Sequence, residues 1–393
     1  MNSIERFSSV LAYQKPDKLP LFIPTVACSV AAKILGREAH TGSESLHYKE
    51  QKARFEGDDA FAAFEAQYYQ DTMDIAGILR VDVVRDTWRQ STTPAKMPDE
   101  YTMIFGTEGA NSTDHIQITR YFPKTETFGY LRDDTIAEDP DEFIKRIEQD
   151  MAGMMTAKEL RAYEESPQFE EDMRRQNRGP LTVKAMAAGR YPAIASGAGF
   201  GFPVNHTGWL QALALYPEVL TKYHSRQAQL ALPRIRWMAA QGFPLLMGGM
   251  DLAGPMGMVF SPRQFEAVLA PAYKIVADEC KRIGVAYTFG TDGNYMEIAD
   301  IIYHGCGIRI SIETEQAAGM TVAALRKKYP DWIVFGAINS GTLHLGTVSD
   351  VRKEVRRSLD ESEGVQYVPG PSNSIMPGTP VENVFAMIEE IER

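Results

Sequence analysis

The C-terminal half of this chain alternates short apolar runs with amphipathic stretches. Nearly every apolar run ends on a polar residue. Pro244–Met250 ends at Asp251, Val285–Phe289 leads to Asp292, Gly307–Ile312 to Glu313, Trp332–Ile338 to Asn339, and Val365–Val368 into a loop holding Asn373. Between them lie helix signals. Ser261-Pro262-Arg263-Gln264 reads as a capping box opening a helix that stops at Gly284. Met296–Tyr303 reads as helical. Thr321 caps a helix ended by Pro330, and a further helix spans about 349–359. Thr379-Pro380-Val381-Glu382 reads as another capping box, opening a helix with Val381, Val384, Phe385, Ile388 and Ile391 on one face.

Repeated βα units with short connections require a parallel sheet. Polar residues at successive strand ends favour closure into a (β/α)8 TIM-type barrel, where those ends converge on one face. An open doubly wound sheet would carry a glycine-rich phosphate loop after its first strand. The nearest candidate, Gly197-Ala198-Gly199-Phe200-Gly201, does not fit GxGxxG.

The N-terminal half is less regular. Leu19–Val26 reads as the first strand, and Val81–Val84 as a later one carrying Asp82. Residues of about 135–180 are charged and helical, and read as an insertion on a single barrel domain spanning 1–393. A solvated helical linker is the alternative.

Charge and cysteine content exclude several classes. With 41 basic and 52 acidic residues the net charge is −11, which disfavours nucleic acid or an anionic membrane as partner. The three cysteines, Cys28, Cys280 and Cys306, are widely spaced and form no CxxC site or disulfide framework. The N-terminus shows no hydrophobic signal region, and Pro244–Phe260 is too short and interrupted to span a bilayer. A cytoplasmic enzyme is the expectation.

Several segments together resemble one family. They are the opening IERFSSVLAYQKPDKLPLFIP, then MDLAGPMGMVFSPRQFEAVLAPAYKIV, GAINSGTLHLGTVSDVRKEVRRSL and the closing PGTPVENVFAMIEEI. They are similar to uroporphyrinogen decarboxylase and the related corrinoid and coenzyme M methyltransferases, over most of the chain except roughly 135–180. The resemblance implies a distorted (β/α)8 barrel. True decarboxylases carry an arginine-rich segment after the first strand that grips the substrate's propionates. TVACSVAAKILGRE offers only Lys33 and Arg37 there, a poor host for a porphyrinogen. Asp82 matches the family's strand-end aspartate and is a candidate substrate contact. The zinc methyltransferases carry a His-x-Cys-Gly pair and a distant cysteine; here those positions fall on Gly290, Asp292 and Asn373, so the thiolate site is absent. His304-Gly305-Cys306 looks like that motif but lies one helix too late.

The resulting site is oxygen-rich. Asp292, Glu313 and Asp251 would face the barrel mouth with Asn339 and Asn373. Such a set suits a hard or borderline cation, and Zn2+ accepts oxygen and nitrogen ligands. Alternatively, clustered carboxylates raise one another's pKa and supply a general acid. As a third reading they cap strands and bind loop amides. Asp292, Glu313 and His344 form a candidate metal set, and His206 could orient a substrate hydroxyl or ligate a metal. Trp88, Phe200, Phe202 and Met250 are candidate apolar walls.

The resemblance implies a methyltransferase that demethylates a small O- or N-methylated compound and passes the methyl to the Co(I) corrinoid of a partner protein. A homodimer is compatible with this reading. A decarboxylase of another acid, and a non-catalytic barrel binding a tetrapyrrole or small ligand, are the alternatives.

Overall fold

A computed structural model describes residues 1–90, 92–106, 116–133, 139–202 and 207–393. Its centre is a parallel barrel of eight strand positions. Residues 22–26 supply the first, bridging to Val83 through Phe22 and to Ile375 through Val26. Val84–Arg85, Ala193–Ser196, Leu245–Met247 and Ala286–Tyr287 follow in order. The fifth position continues into Phe289–Gly290, which pairs with Ile310–Thr314, then Ile333–Ile338, then Tyr367–Pro371. The Phe22 amide donates to the Pro369 carbonyl at 3.1 Å and closes the ring. Closure leaves no unpaired sheet edge.

The barrel lumen is filled by Phe22, Val83, Ile194, Leu245, Met247, Ile310, Ile312, Ile333, Phe335 and Val368. Because side chains alternate along a strand, the neighbouring residues face the outer helices. The N-terminal helix Ser3–Leu11 caps the lumen's lower end, with Phe7 edge-on to Phe335 at 6.1 Å. The expected helix signals place the outer ring. Ser261 caps as a full capping box, and the helix closes on left-handed Gly284 (φ 74°). Thr321 and Thr347 cap the helices Val322–Lys328 and Val348–Ser362.

Two local expectations fail. Met296–Tyr303 is helical only in its second half: a turn at 296–298 leads into α-helical residues 299–300 and the π-helical Ile301–Gly305. Pro380, not Thr379, is the N-cap of Val381–Ile391 and makes no side-chain bond. Thr379 is fully buried and its hydroxyl pairs instead with His344 Nδ1 at 3.4 Å.

Between the second and third strand positions the chain makes a long excursion. Pro140–Gly153, Ala157–Glu164 and Pro167–Gln176 are helices within the charged stretch. Before them stands a four-stranded antiparallel sheet that sequence reading did not anticipate: Lys96–Asp99, Thr102–Phe105, Gln117–Phe122 and Thr127–Asp133. Tyr121 stacks on Tyr48 at 4.3 Å, and Tyr48 donates to the Glu100 carbonyl at 3.0 Å. These contacts fix the sheet to the helix Ser43–Glu56 and bring its turn at Thr125–Thr127 over the barrel mouth. Among the described residues no helix is long and apolar enough to cross a membrane.

Candidate active site

Glycines shape the mouth. The third, fourth and fifth strands end in Gly197 and Gly199, Gly248 and Gly249, and Gly290. A Cβ on Gly199 would collide with the Gly249 carbonyl, and one on Gly249 with that of Gly290. Gly249 also has φ 131°, a conformation that side-chain-bearing residues avoid. The strand ends therefore pack backbone to backbone and leave open space above them. A cavity of about 520 Å³ lies there, floored by Met247 and Ile312 and walled by Trp88, Met250, Asp251, Asp292, Glu313 and Asn373. A second cavity of about 740 Å³ shares Trp88, Asp292 and Asn373 with it and extends under the inserted sheet, past Thr25, Thr87, Thr125, Asn339 and His344.

Asp251, Asp292 and Glu313 converge: one carboxylate oxygen from each lies within 4.8 Å of the others. They come from three successive strand ends. Glu313 sits where the pairing register shifts between Ser311 and Thr314, and its φ is +59°. A non-glycine residue in the left-handed region costs on the order of 1 kcal/mol or more, a strain common at functional sites. Asn373 Nδ2 donates to both Asp292 oxygens, at 2.9 and 3.0 Å. Its own Oδ1 is held by the Ser374 amide at 2.6 Å, which fixes the amide orientation.

Burial pushes the Asp292 carboxyl up to about 6, helped by the charges of Asp251 and Glu315 and opposed by the Asn373 hydrogen bond. Burial likewise pushes Glu313 up to about 7; Asp292 and Asp251 add to the rise and Arg85 opposes it. Two acids that hold protons near neutrality can protonate a departing oxygen or nitrogen. The same three oxygens also form a donor set for a cation of oxygen preference. Among the described residues this is the one such group of three, and its donors are all carboxylates. His344 is not part of it. It lines the larger cavity and pairs with Thr379, which corrects its assignment as a metal ligand.

Other candidate residues fall elsewhere. Asn339 lines the larger cavity but caps the helix Ser340–Leu345, accepting from the Gly341 amide at 2.6 Å. His206 lies outside the described residues. Asp82 begins its strand rather than ending it. It sits at the barrel's lower end, accepting from the Leu21 amide at 3.0 Å, from Ser3 Oγ at 2.6 Å and from Arg6 Nη1 at 3.4 Å. It ties down the N-terminal helix and does not reach the mouth, which corrects its assignment to substrate. The residues that do end that strand are Arg85 and Asp86, both missed in the sequence. The clue was the polar stop in Val83-Val84-Arg85-Asp86-Thr87-Trp88. Asp86 is engaged by Tyr68 Oη at 2.8 Å. Of the apolar walls, Trp88 and Met250 line the mouth, whereas Phe200 and Phe202 are buried in the core behind it.

The cysteines stand apart. All three are buried, and burial pushes the Cys280 and Cys306 thiols up to about 12. Arg37, the sole arginine of the segment after the first strand, is paired with Asp71 and Asp74 on a neighbouring helix.

Residues 205–393 match the family model described as uroporphyrinogen decarboxylase. Over its whole length the chain superposes on a methyltransferase from Methanosarcina mazei with a TM-score of 0.62 and 14% identity, covering 98% of that chain. A B12-independent methionine synthase from Shewanella sp. W3-18-1 aligns at a TM-score of 0.42 and 11% identity, over 85% of this chain and 89% of that one. No curated protein matches the sequence.

Proposed function

We propose that this chain, built on the uroporphyrinogen decarboxylase fold, is a methyltransferase. It takes the methyl group of a small O- or N-methylated compound and delivers it to the Co(I) of a corrinoid carried by a partner protein. The observation that carries this reading is the convergence of Asp292 and Glu313, two carboxyls pushed toward neutrality, at an open mouth. A methyl ether is a poor electrophile because its leaving group is a basic alkoxide or phenolate. As the Co(I) electron pair attacks the methyl carbon, the carbon–oxygen bond breaks and its electrons remain on oxygen. That oxygen must then be protonated or bound by a Lewis acid. Glu313, with a pKa of about 7, holds such a proton in a fraction of molecules at neutral pH.

The donor's oxygen is placed against Glu313 and Asp292, its methyl turned toward the opening where the corrinoid approaches. Asn373 keeps Asp292 oriented and lowers its pKa, so that of the two acids Glu313 is the better proton donor. Asp251, Asp292 and Glu313 would hold a divalent cation such as Zn2+, which would supply Lewis-acid assistance to the same oxygen. The cysteines would not contribute. Porphyrinogen decarboxylation is disfavoured because Arg37 is committed to Asp71 and Asp74.

The test is methyl transfer to free Co(I) corrinoid. Asp292→Asn and Glu313→Gln should each slow transfer by at least ~100-fold, the usual effect of removing a positioned acid. The loss should shrink for phenyl ethers bearing electron-withdrawing substituents, whose oxygens need less help. Both variants remaining folded and fully active on every donor would reject the proposal.

A further inference from the structure

The larger mouth cavity, of about 740 Å³, falls in the ~300–1,000 Å³ range of small-molecule sites. Eight serine and threonine residues line it, together with the carboxylates of Glu44, Glu126, Asp292 and Glu315. No lysine or arginine lines it among the described residues. An anion entering it would meet repulsion and no fixed cation. One aromatic ring, Trp88, stands in the wall shared with the smaller cavity and is 44% exposed.

The lining keeps acceptors that the protein does not use. Glu126, in the turn of the inserted sheet, has a left-handed backbone (φ 56°), and its Oε2 is buried with no hydrogen-bond partner among the described residues. Glu315 Oε2 accepts from the Gly293 amide at 2.9 Å, and Glu44 Oε2 accepts from the Phe128 amide. Each of these two is oriented by one backbone donor and retains a second oxygen. The Thr25 hydroxyl is also buried and unpartnered among the described residues. A Cβ on Gly42 would collide with it, so it lies beside the backbone that leads into Ser43, another lining residue. A buried polar group without a partner costs stability, and a ligand rich in hydroxyls offers the missing donors.

Trp88 supplies a flat wall for such a ligand. The Arg85 guanidinium carbon lies 3.9 Å from its ring centroid and covers one face, and His47 Nε2 donates to its carbonyl at 3.0 Å. The arginine already draws on the negative charge of the ring's π face, so the opposite face is a poor seat for a second cation. It suits the weakly polar C–H face of a saturated ring.

We infer that this cavity binds a neutral polyol, a sugar or cyclitol, with its hydroxyls on Glu126, Glu315 and Thr25 and its ring against Trp88. Resting on the methyl-transfer reading, this makes the methyl donor an O-methylated polyol that reaches the smaller cavity past the residues both share, Trp88, Asp292 and Asn373. The methyl–oxygen bond is the one broken. The carbon goes to Co(I), the bonding electrons stay on the polyol oxygen, and the proton of Glu313 converts that alkoxide to a hydroxyl. An alkoxide is more basic than a phenolate, so donors of this class make the strongest demand on a positioned acid.

The probes are D-pinitol and 3-O-methyl-D-glucose as methyl ethers, and myo-inositol as a polyol with no methyl to transfer. Cyclohexyl methyl ether (the ring without its hydroxyls), methoxyacetate and choline are the apolar, anionic and cationic comparators. Each is titrated calorimetrically into the full-length protein without corrinoid. At least one polyol should bind ~10-fold or more tightly than every comparator, the worth of one hydrogen bond to a charged group. Glu126→Ala and Trp88→Leu should each weaken that polyol by about 10-fold. Glu126→Ala should melt no lower than the parent, because it removes a buried oxygen that has no partner. Three results would each overturn the inference: a comparator bound as tightly as the best polyol, polyol affinity unchanged in either variant, or a Glu126→Ala melting point lowered by more than about 5 °C, a shift of the size that a lost structural contact gives. Binding of myo-inositol involves no methyl group. The polyol site therefore stands if the transfer assay fails on every donor, and falls with transfer intact if the comparators bind best.

Discussion

Glu313 offers a test that separates a site acid from a strand-end residue, through stability rather than turnover. Its carboxyl is raised from 4.5 to about 7, with burial as the chief cause. A carboxyl raised in the folded state binds its proton there more tightly than in the unfolded chain. Below pH 4.5 both states are protonated and nothing is lost. As pH climbs from 4.5 to 7 the unfolded chain gives up its proton while the folded state still holds it, so stability falls relative to a neutral side chain, and the loss is complete once Glu313 ionises in the folded state above pH 7. Complete ionisation costs roughly 3 kcal/mol at 1.36 kcal/mol per pKa unit. Burial is the larger cause and belongs to Glu313 itself, so neutralising this one group returns most of that cost, on the order of 2–3 kcal/mol. Glu313→Gln should therefore match the parent near pH 4.5 and become progressively more stable up to pH 8. The measurement is the urea midpoint of both proteins at half-unit pH steps, with EDTA present to keep cations from masking the repulsion. A Glu313→Gln curve parallel to the parent's at every pH, or one that falls below it as pH rises, would refute the electrostatic account of this site.

Two further outcomes follow from the placement of side chains. Zn2+ or Mn2+ titrated into the purified protein should bind at the carboxylate group. Asp251→Asn should weaken binding at least ~10-fold by removing ligand charge, while Cys306→Ser and His344→Ala leave the bound metal, read by elemental analysis, unchanged. Asp82→Asn should lower stability by about 1–3 kcal/mol through its lost bonds to Ser3, Arg6 and the Leu21 amide, yet leave kcat and KM for the methyl donor as they are; a large fall in kcat in a folded Asp82→Asn protein would return this residue to the mouth.

The difference between Asp82 and Asp251 shows what the sequence could and could not reveal. Asp251, Asp292 and Glu313 follow apolar runs whose ends are punctuated by glycines and capping residues, so direction and end were both readable, and the barrel places those ends together. Around Asp82 the apolar residues continue past it, through Val83 and Val84. Nothing local says whether the aspartate opens or closes the strand, and a shift of a few residues moves it from one end of the barrel to the other. The inserted sheet at 96–133 hid for another reason. Its alternation is real in Gln117–Phe122, where Thr119 and Tyr121 are buried, but its apolar face packs on Tyr48, far away in sequence, and no barrel periodicity announces it. Capping boxes are local and mostly reliable, yet Thr379 lost its helix to Pro380 because the threonine is buried beside His344, a tertiary contact stronger than the local preference. Arg85 is the clearest case. An arginine inside a strand reads as a surface residue or an ion pair. Only the fold shows it turned inward, stacked on Trp88 and without a partner for its two Nη groups among the described residues. The three converging acids were legible because strand ends are where barrels put them. The buried cation under Trp88 was not, because what marks it is an unmade hydrogen bond, and a sequence records no such thing.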